Sequence, residues 1–526
     1  MSIKSNLIRT TAKVVCKREE VIANAPQRYQ QEIFNKLMLN GKKTVFGKDH
    51  SFSKIKSIKD YQEAVPVRDY EGLRTYFDRA AHGEMNVLWP GKPKYLAKTS
   101  GTTSGTKYIP ITQVSVSNHI NSARNALFSY VYHVPETKIF DGKMLFLSGS
   151  PELEFTNGIA TGRLSGIVNH EIPAWFKGAK LPDYKLNCIE PWELKVEKII
   201  EDLLPRDLRA ISGIPPWVQM LFEKLLEKTG KKNVLEVFPN LELYIHGGVN
   251  YQPYESRMND LIGKKIALIE TYPASEGFIA YQDNPFVDEM RLIIQSGIFY
   301  EFIPLSEVGS SKPSRLLLNE VELNTDYAIV LSSNAGLWSY MLGDLVKFTS
   351  LKPYKLKVSG RVSQYISAFG EHVIASEIEA AMAHAQKIHG FSITEFCVAP
   401  QVNPDDQALA YHEWFIEFDH LENDISKIEE TLNDALCKRN SYYKDLIVGK
   451  ILDRLKIRVV RKDGFKEYMM SINKYGEQFK VQRLSNDRKV AVEMKKKLQY
   501  FFPVGPCFFF WGGPPLFFFF FFFFFS

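Results

Sequence analysis

Chemistry is concentrated first in the run Lys98-Thr99-Ser100-Gly101-Thr102-Thr103-Ser104-Gly105-Thr106-Lys107. Hydroxyl side chains, two glycines and a lysine at adjacent positions give a loop dense in hydrogen-bond donors, with a backbone free to bend around an anion. A polyphosphate is the ligand such a loop suits. It is not a P-loop, because the spacing from Gly101 to Gly105 is one residue short of GxxxxGK[ST] and Lys107 is followed by Tyr108, not by a Ser or Thr that would hold Mg2+. Tyr108-Ile109-Pro110-Ile111-Thr112 is aromatic, β-branched and broken by proline, so the loop is expected between two extended segments, without a helix after it.

Later stretches carry residues of comparable interest. Glu270-Thr271-Tyr272-Pro273-Ala274-Ser275-Glu276-Gly277 follows a predicted buried strand, and ligands of open parallel sheets gather at the carboxyl ends of strands. An aromatic face suits a base there, and a carboxylate oxygen suits a hard cation. Gly247-Gly248 ends the preceding strand and permits close backbone approach. Tyr340-Met341-Leu342-Gly343-Asp344, Ser359-Gly360-Arg361 and Tyr475-Gly476-Glu477-Gln478-Phe479-Lys480-Val481-Gln482-Arg483 add an acid, a cation and a loop lysine.

Tyr61 to Thr112 closely resembles the acyl-acid amido synthetases of the Gretchen Hagen 3 (auxin-responsive) family, within the adenylate-forming superfamily, and the likeness continues through most of the chain. The resemblance implies an ATP-dependent ligase that adenylates a small carboxylic acid, releases pyrophosphate and transfers the acyl group to the amine of an amino acid. It implies that Ser100, Gly101, Thr102, Thr103, Ser104, Gly105 and Lys107 hold phosphates. Gly247 and Gly248 would pass close to the adenine and the acid, Tyr272 would lie against the adenine, and Glu276 would help hold Mg2+. Asp344 would bind the ribose hydroxyls, Arg361 would mark a hinge, and Lys480 would be the lysine a mobile small domain delivers to the α-phosphate. Lys480, Lys107 and Glu276 are thus the implied catalytic residues, with ATP and Mg2+ as cofactors. Met341 stands where the family has arginine, and Gln482 where it has proline. An acyl-CoA-type ligase sharing the adenylation half, and a non-catalytic nucleotide-binding homologue, remain as alternative readings.

The elements that must position these residues can be read from spacing. Helices are expected over Gln27 to Leu39, Ser115 to Val131 and Trp217 to Lys228, the last started by Pro215-Pro216 and stopped by Gly230. Strands are expected at Lys143 to Leu147, Leu241 to Ile245 and Lys265 to Glu270, with a helix around Tyr254 to Leu261. This βα alternation predicts an α/β fold: a largely parallel, helix-covered sheet. Met290 to Phe348 is strand-rich and predicts a barrel-like or antiparallel subdomain. Beyond Arg361, a capping box at Ser376-Glu377-Ile378-Glu379 opens a helix to about His389. Strands (Ser392 to Ala399, Trp414 to Phe418), a helix (Ser426 to Leu446) and a strand (Leu455 to Arg461) follow, which makes a small mobile α+β C-terminal domain. The expected divisions are 1–360 for the large adenylating domain, 361–499 for the small domain and 500–526 for a tail. Aromatic residues from Phe128 to Tyr132 and Trp175-Phe176 are candidates for an acid pocket or for core.

The totals set outer bounds. A chain of 526 residues calls for more than one domain, and 45% hydrophobic with 24% charged residues is ordinary globular composition. Lys+Arg 66 against Asp+Glu 60 leaves +6, which does not call for nucleic acid. Cys16, Cys188, Cys397, Cys437 and Cys507 are scattered and never in CxxC spacing, as expected of reduced cytoplasmic thiols. The N-terminal residues have no apolar signal core. From Tyr500 the chain is uncharged and rich in Phe, Pro and Gly, ending in phenylalanines from Phe517 to Phe525; this tail reads as non-native, and a membrane contact is expected only if it is genuine. Oligomeric state has no signature in the sequence.

Overall fold

The structure is a computed structural model that describes residues 3–498, apart from 101–105, 190–191, 249–250, 363–364, 367–370, 372, 402–403, 405–408, 422–423, 449–451, 473–479 and 486–487. The apolar runs at Leu208–Ser212, Leu243–Gly247 and Ala267–Ala274 have side chains that must be covered on both faces, and they pair in parallel at the centre of an eleven-stranded sheet. Lys143–Phe146 and Lys180–Leu181 continue the parallel side to one edge. One face is covered by helices Trp192–Leu203, Pro215–Thr229 and Glu255–Ile262, which bury Val196, Leu221 and Met258 with Tyr244 and Ile211. The other is covered by helices Ile3–Ala23 and Gln113–His133, which bring Ala12, Phe128 and Tyr130 onto Ile245 and Ile269.

Beyond Ala267–Ala274 the sheet changes character. Ser275-Glu276 join that strand to Gly277–Tyr281, and a connection so short can only return the chain antiparallel. Every following neighbour is antiparallel: Met290–Leu292, Tyr354–Arg361, Tyr340–Leu351, Asp326–Ser333 and Ile298–Pro304. The strand-rich stretch expected from sequence is therefore the antiparallel continuation of the same sheet. A second, four-stranded sheet is built on Tyr95–Ser100, which pairs antiparallel with Thr106–Ile111 and parallel with Ile159–Gly162. The extended segments expected on either side of the phosphate loop are that first pair.

The C-terminal residues close a separate core in which Ile378, Trp414, Ile416, Leu432 and Ile457 meet. Ser392–Gln401 and Tyr411–His420 run antiparallel, and Lys456–Val460 adds in parallel. Two local expectations change. Helix Ala375–His389 starts earlier than the Ser376 box: Glu377 accepts the Ile374 backbone N–H, and Glu379 turns instead to Arg483. The single helix expected over Ser426 to Leu446 is two, Ile425–Arg439 and Ser441–Val448, because Asn440 is extended and its Oδ1 accepts the Tyr443 N–H at 2.8 Å. Helix Ile3–Ala23 has little signature in the sequence, since its apolar positions are diluted by charge. Among the described residues no helix is long and apolar enough to cross a membrane.

Candidate active site

A cleft of about 1800 Å3 opens where the carboxyl ends of the parallel strands face the C-terminal domain. Thr99, Lys107, Gly248, Tyr272, Glu276, Asp344, Arg361 and Lys480 all line it. Residues spread over most of the chain thus share one space. Gly101, Thr102, Thr103, Ser104 and Gly105 lie outside the described residues; Ser100 and Thr106, the neighbours of that stretch, pair across the hairpin that ends at the cleft. The Lys107 ammonium sits 5.4 Å over the Tyr70 ring, and the Tyr70 hydroxyl accepts the Tyr108 backbone N–H at 3.0 Å.

Pairing within the antiparallel half of the sheet fixes the acidic side of the cleft. Asp344 is in register with Arg361, so both side chains project to the same face. Arg361 Nε donates to Asp344 Oδ1 at 2.8 Å, and the Tyr272 hydroxyl donates to Oδ2 at 2.6 Å. Both carboxylate oxygens are engaged. The aspartate charge raises the Arg361 pKa, and burial together with that charge drives the Tyr272 hydroxyl well above its ordinary value. Glu276 sits in the turn that reverses the chain and accepts the Tyr340 hydroxyl at 3.2 Å. Its pKa is raised by burial and by the negative Asp344.

Gly248 and Lys480 meet at the other wall. Gly248 has φ +73°, and a side-chain carbon there would stand 3.2 Å from the Lys480 Nζ. The lysine side chain is open to the cleft, yet protein surrounds its ammonium: desolvation, then the Arg361 charge, push its pKa down to about 8. Gly247 does not line the cleft; it packs its strand against the neighbouring one, where a Cβ would lie 2.2 Å from the Thr271 carbonyl oxygen.

Arg483, three residues beyond Lys480, ties the C-terminal domain to the body. It is buried, donates to Glu379 Oε1 at 2.9 Å and to the Tyr254 hydroxyl at 3.2 Å, and approaches Glu395 at 3.4 Å. Its guanidinium also lies over the Phe396 ring at 4.8 Å. Tyr254 belongs to the body, so this hydrogen bond crosses between the two units. Sequence reasoning missed Tyr70, Tyr254 and Tyr340 as neighbours of the site; each is a single tyrosine remote in sequence from its partner. Of the aromatic candidates for an acid pocket, Phe128, Tyr130 and Phe176 are core instead, packed with Ile139 and Met144.

The fold has counterparts among solved structures. It is similar to the acyl acid amido synthetase GH3.15 in complex with 2,4-DB, at TM-score 0.77 and 16% identity over 94% of this chain and 97% of that one. A 2-hydroxyisobutyryl-CoA ligase in the postadenylation state aligns at TM-score 0.58 and 16% identity, over 91% and 92% of the two chains. The GH3 family N-terminal, central and C-terminal domain models match residues 16–194, 291–361 and 376–489, and the chain belongs to the GH3 family. Among its relatives is a jasmonoyl–L-amino acid synthetase of Oryza sativa subsp. japonica, 21% identical over 92% of this chain and 97% of the relative. An indole-3-acetic acid-amido synthetase of Arabidopsis thaliana is also 21% identical, over 87% and 89%.

The Gly247 contact gives a direct test. Gly247→Ala must separate two central strands and should lower stability by about 1–3 kcal/mol in denaturant unfolding. Gly178→Ala, which meets nothing within 4 Å, should leave stability nearly unchanged.

Proposed function

We propose that the protein is an ATP-dependent acyl-acid amido synthetase. It adenylates a small carboxylic acid and passes the acyl group to the amine of an amino acid. The observation that carries this reading is the convergence of Lys107, Glu276, Asp344, Arg361 and Lys480 on one cleft, with the Lys480 ammonium beside Gly248. Among the described residues neither Lys107 nor Lys480 has an ion-pair partner, as suits cations reserved for an anionic substrate.

In the first half-reaction a carboxylate oxygen attacks the α-phosphorus of ATP, the bond to pyrophosphate breaks, and acyl-AMP forms. Lys480 stabilises charge that develops on the α-phosphate, and Lys107 with the loop 100–105 holds the phosphates. Tyr272 lies beside the adenine, and Asp344 exchanges a present hydrogen bond for the ribose hydroxyls. In the second half the amine attacks the acyl carbon and AMP leaves. No covalent enzyme nucleophile is needed.

The residues also fit Mg2+. Mg2+ takes one or two carboxylates together with phosphate oxygens and water, and the cleft wall offers a carboxylate. Glu276 is that carboxylate, and bound Mg2+ would supply charge neutralisation at the phosphates. Residues 1–360 act as the adenylating body and 361–499 as the swinging domain, with Arg361 at the hinge. The working compartment is the cytoplasm, in keeping with the free thiols of Cys16, Cys188, Cys397 and Cys437.

Acid-dependent ATP–pyrophosphate exchange tests the assignment, on protein ended before Tyr500. Lys480→Ala and Lys107→Ala should each lower exchange by about 100-fold or more; exchange unchanged in both would refute the roles of these two lysines. Amide product with an amino acid, against thioester with coenzyme A, separates the acceptor classes.

The lysine must be protonated to act, so kcat/KM for ATP should fall as pH rises through about 8. Lys480→Arg should retain part of the activity and move that fall beyond the measurable range, because an arginine does not lose its proton there.

Tyr254→Phe removes the hydrogen bond between the two units. A loss of about 1 kcal/mol predicts roughly fivefold slower pyrophosphate exchange. Aminolysis of supplied acyl-AMP should be unaffected, which distinguishes a weakened closed state from general damage.

A further inference from the structure

Among the polar side chains that line the cleft without a role in the adenylation and transfer steps, two are neighbours across a strand pair. His246 in Leu243–Gly247 and Glu270 in Ala267–Ala274 are in-register neighbours on parallel strands, so both project from the same face of the sheet. Both border the cleft. His246 is 5% exposed, its ring stacks on Tyr251 at 4.8 Å, and its Nδ1 has no hydrogen-bond partner among the described residues. Burial holds the imidazole neutral, its pKa pushed down to about 4. The Glu270 carboxyl likewise has no hydrogen-bond partner among the described residues, although its backbone N–H is held by Gln282 Oε1 at 2.8 Å. Burial and the negative Asp288 push its pKa up to about 7, with Lys357 opposing, and Lys357 itself is paired with Asp288 at 2.6 Å.

Gln282 offers these groups nothing, because its Nε2 donates to the Asn284 and Val287 carbonyls. Ile214, Trp217, Met220 and Leu268 supply apolar surface to the cleft and pack on the core beneath it, while Asp288 and Lys357 stand on the Glu270 side. A buried imidazole nitrogen without a partner is destabilising, because it has given up its hydrogen bond to water and gained none in return. An arrangement of this kind fits a ligand that supplies both missing hydrogen bonds.

The position says which ligand. Gly248 and Tyr272 lie two residues further along the same strands, and the Lys480 ammonium marks the reacting carboxylate at Gly248. An acid whose carboxylate sits there extends its body back over His246 and Glu270. A hydroxyl can donate to one of these groups and accept from the other, which a hydrocarbon cannot do.

Resting on the adenylation reading, we propose that His246 and Glu270 form a recess for a hydroxyl carried about 6–7 Å from the reacting carboxylate, the span of two extended residues, so that the enzyme's acids are hydroxy acids. The apolar wall takes the hydrocarbon between the two ends. His246 and Glu270 discriminate because a plain acid leaves the buried imidazole nitrogen unpaired and covers the half-buried carboxyl without a hydrogen bond.

The test is pyrophosphate exchange on the full chain with no amine present, using matched acids: 4-hydroxyphenylacetate against phenylacetate and 6-hydroxyhexanoate against hexanoate, with 6-aminohexanoate as a third arm. In at least one series the hydroxy acid should show a kcat/KM about 100-fold or more above its plain counterpart. His246→Leu and Glu270→Leu should each collapse that ratio by slowing the hydroxy acid while the plain acid keeps its rate; Glu270→Gln should retain part of the preference. Equal rates within both pairs of the wild-type chain would overturn the proposal without any variant having to fold. So would a preference for 6-aminohexanoate, or variants that change only the KM for amine in the complete reaction. Exchange absent with every acid would count against the adenylation reading itself and take this proposal with it, whereas exchange that ignores the hydroxyl would defeat this proposal alone.

Discussion

The cleft depends on the reversal of chain direction at Ser275-Glu276. Up to Ala274 the sheet is parallel, and its strands deliver their carboxyl ends, Gly248 and Tyr272 among them, to one edge. The short connection forces the next strand back antiparallel, and the remaining antiparallel strands bring Asp344 and Arg361 to the same edge from the opposite side. A longer connection would permit a parallel crossover and would carry Tyr340 and Asp344 elsewhere. Gly247 reinforces the junction, since only a residue without Cβ allows its strand to approach the Thr271 carbonyl so closely.

Charge in the cleft is arranged by the same geometry. Two of its acids are held by a hydroxyl or a guanidinium: Asp344 by Tyr272 and Arg361, Glu276 by Tyr340. Lys107 and Lys480 have no ion-pair partner among the described residues, Lys107 lying over the Tyr70 ring and Lys480 beside Gly248. Such an arrangement suits a polyanionic ligand; burial, then the Asp344 charge, raises the carboxyl of Glu276, and burial, then the Arg361 charge, lowers the ammonium of Lys480. On the far side, Arg483 is enclosed by Glu379, Glu395 and Tyr254, so the segment that bears Lys480 is anchored by a buried ion-pair cluster that also reaches the body.

Much of this was legible in the chain itself. Helix Pro215–Thr229 announces itself by Pro-Pro at its start, an apolar stripe and a Gly230 stop that takes φ +66°. The strands around the cleft are short apolar runs, and the hydroxyl-rich loop is bounded by extended segments as its proline and β-branched residues require. Local signals failed where a distant partner decided the outcome. Asn440 splits a helix because it caps Tyr443 and donates to Glu377, sixty-three positions earlier. Ile3–Ala23 is helical because Gln113–His133 offers a surface for Ala12, Ile8 and Val15. Phe128 and Tyr130 are core because that helix covers them.

The sequence by itself determined the kinds of groups available and the order in which they occur: a hydroxyl and glycine loop, an aromatic–carboxylate turn, an acid, an arginine and a late lysine. It did so because turn, strand and helix signals act over a few residues and survive without the rest of the fold. Only the tertiary structure decided which groups touch. That Tyr272 and Arg361 share the two oxygens of Asp344, that Arg483 reaches Tyr254, and that His246 and Glu270 stand side by side all follow from strand register and packing between segments far apart in sequence. Such contacts are set by mutual exclusion of volume and by the demand that buried polar groups find partners, and no single stretch of the chain carries that information.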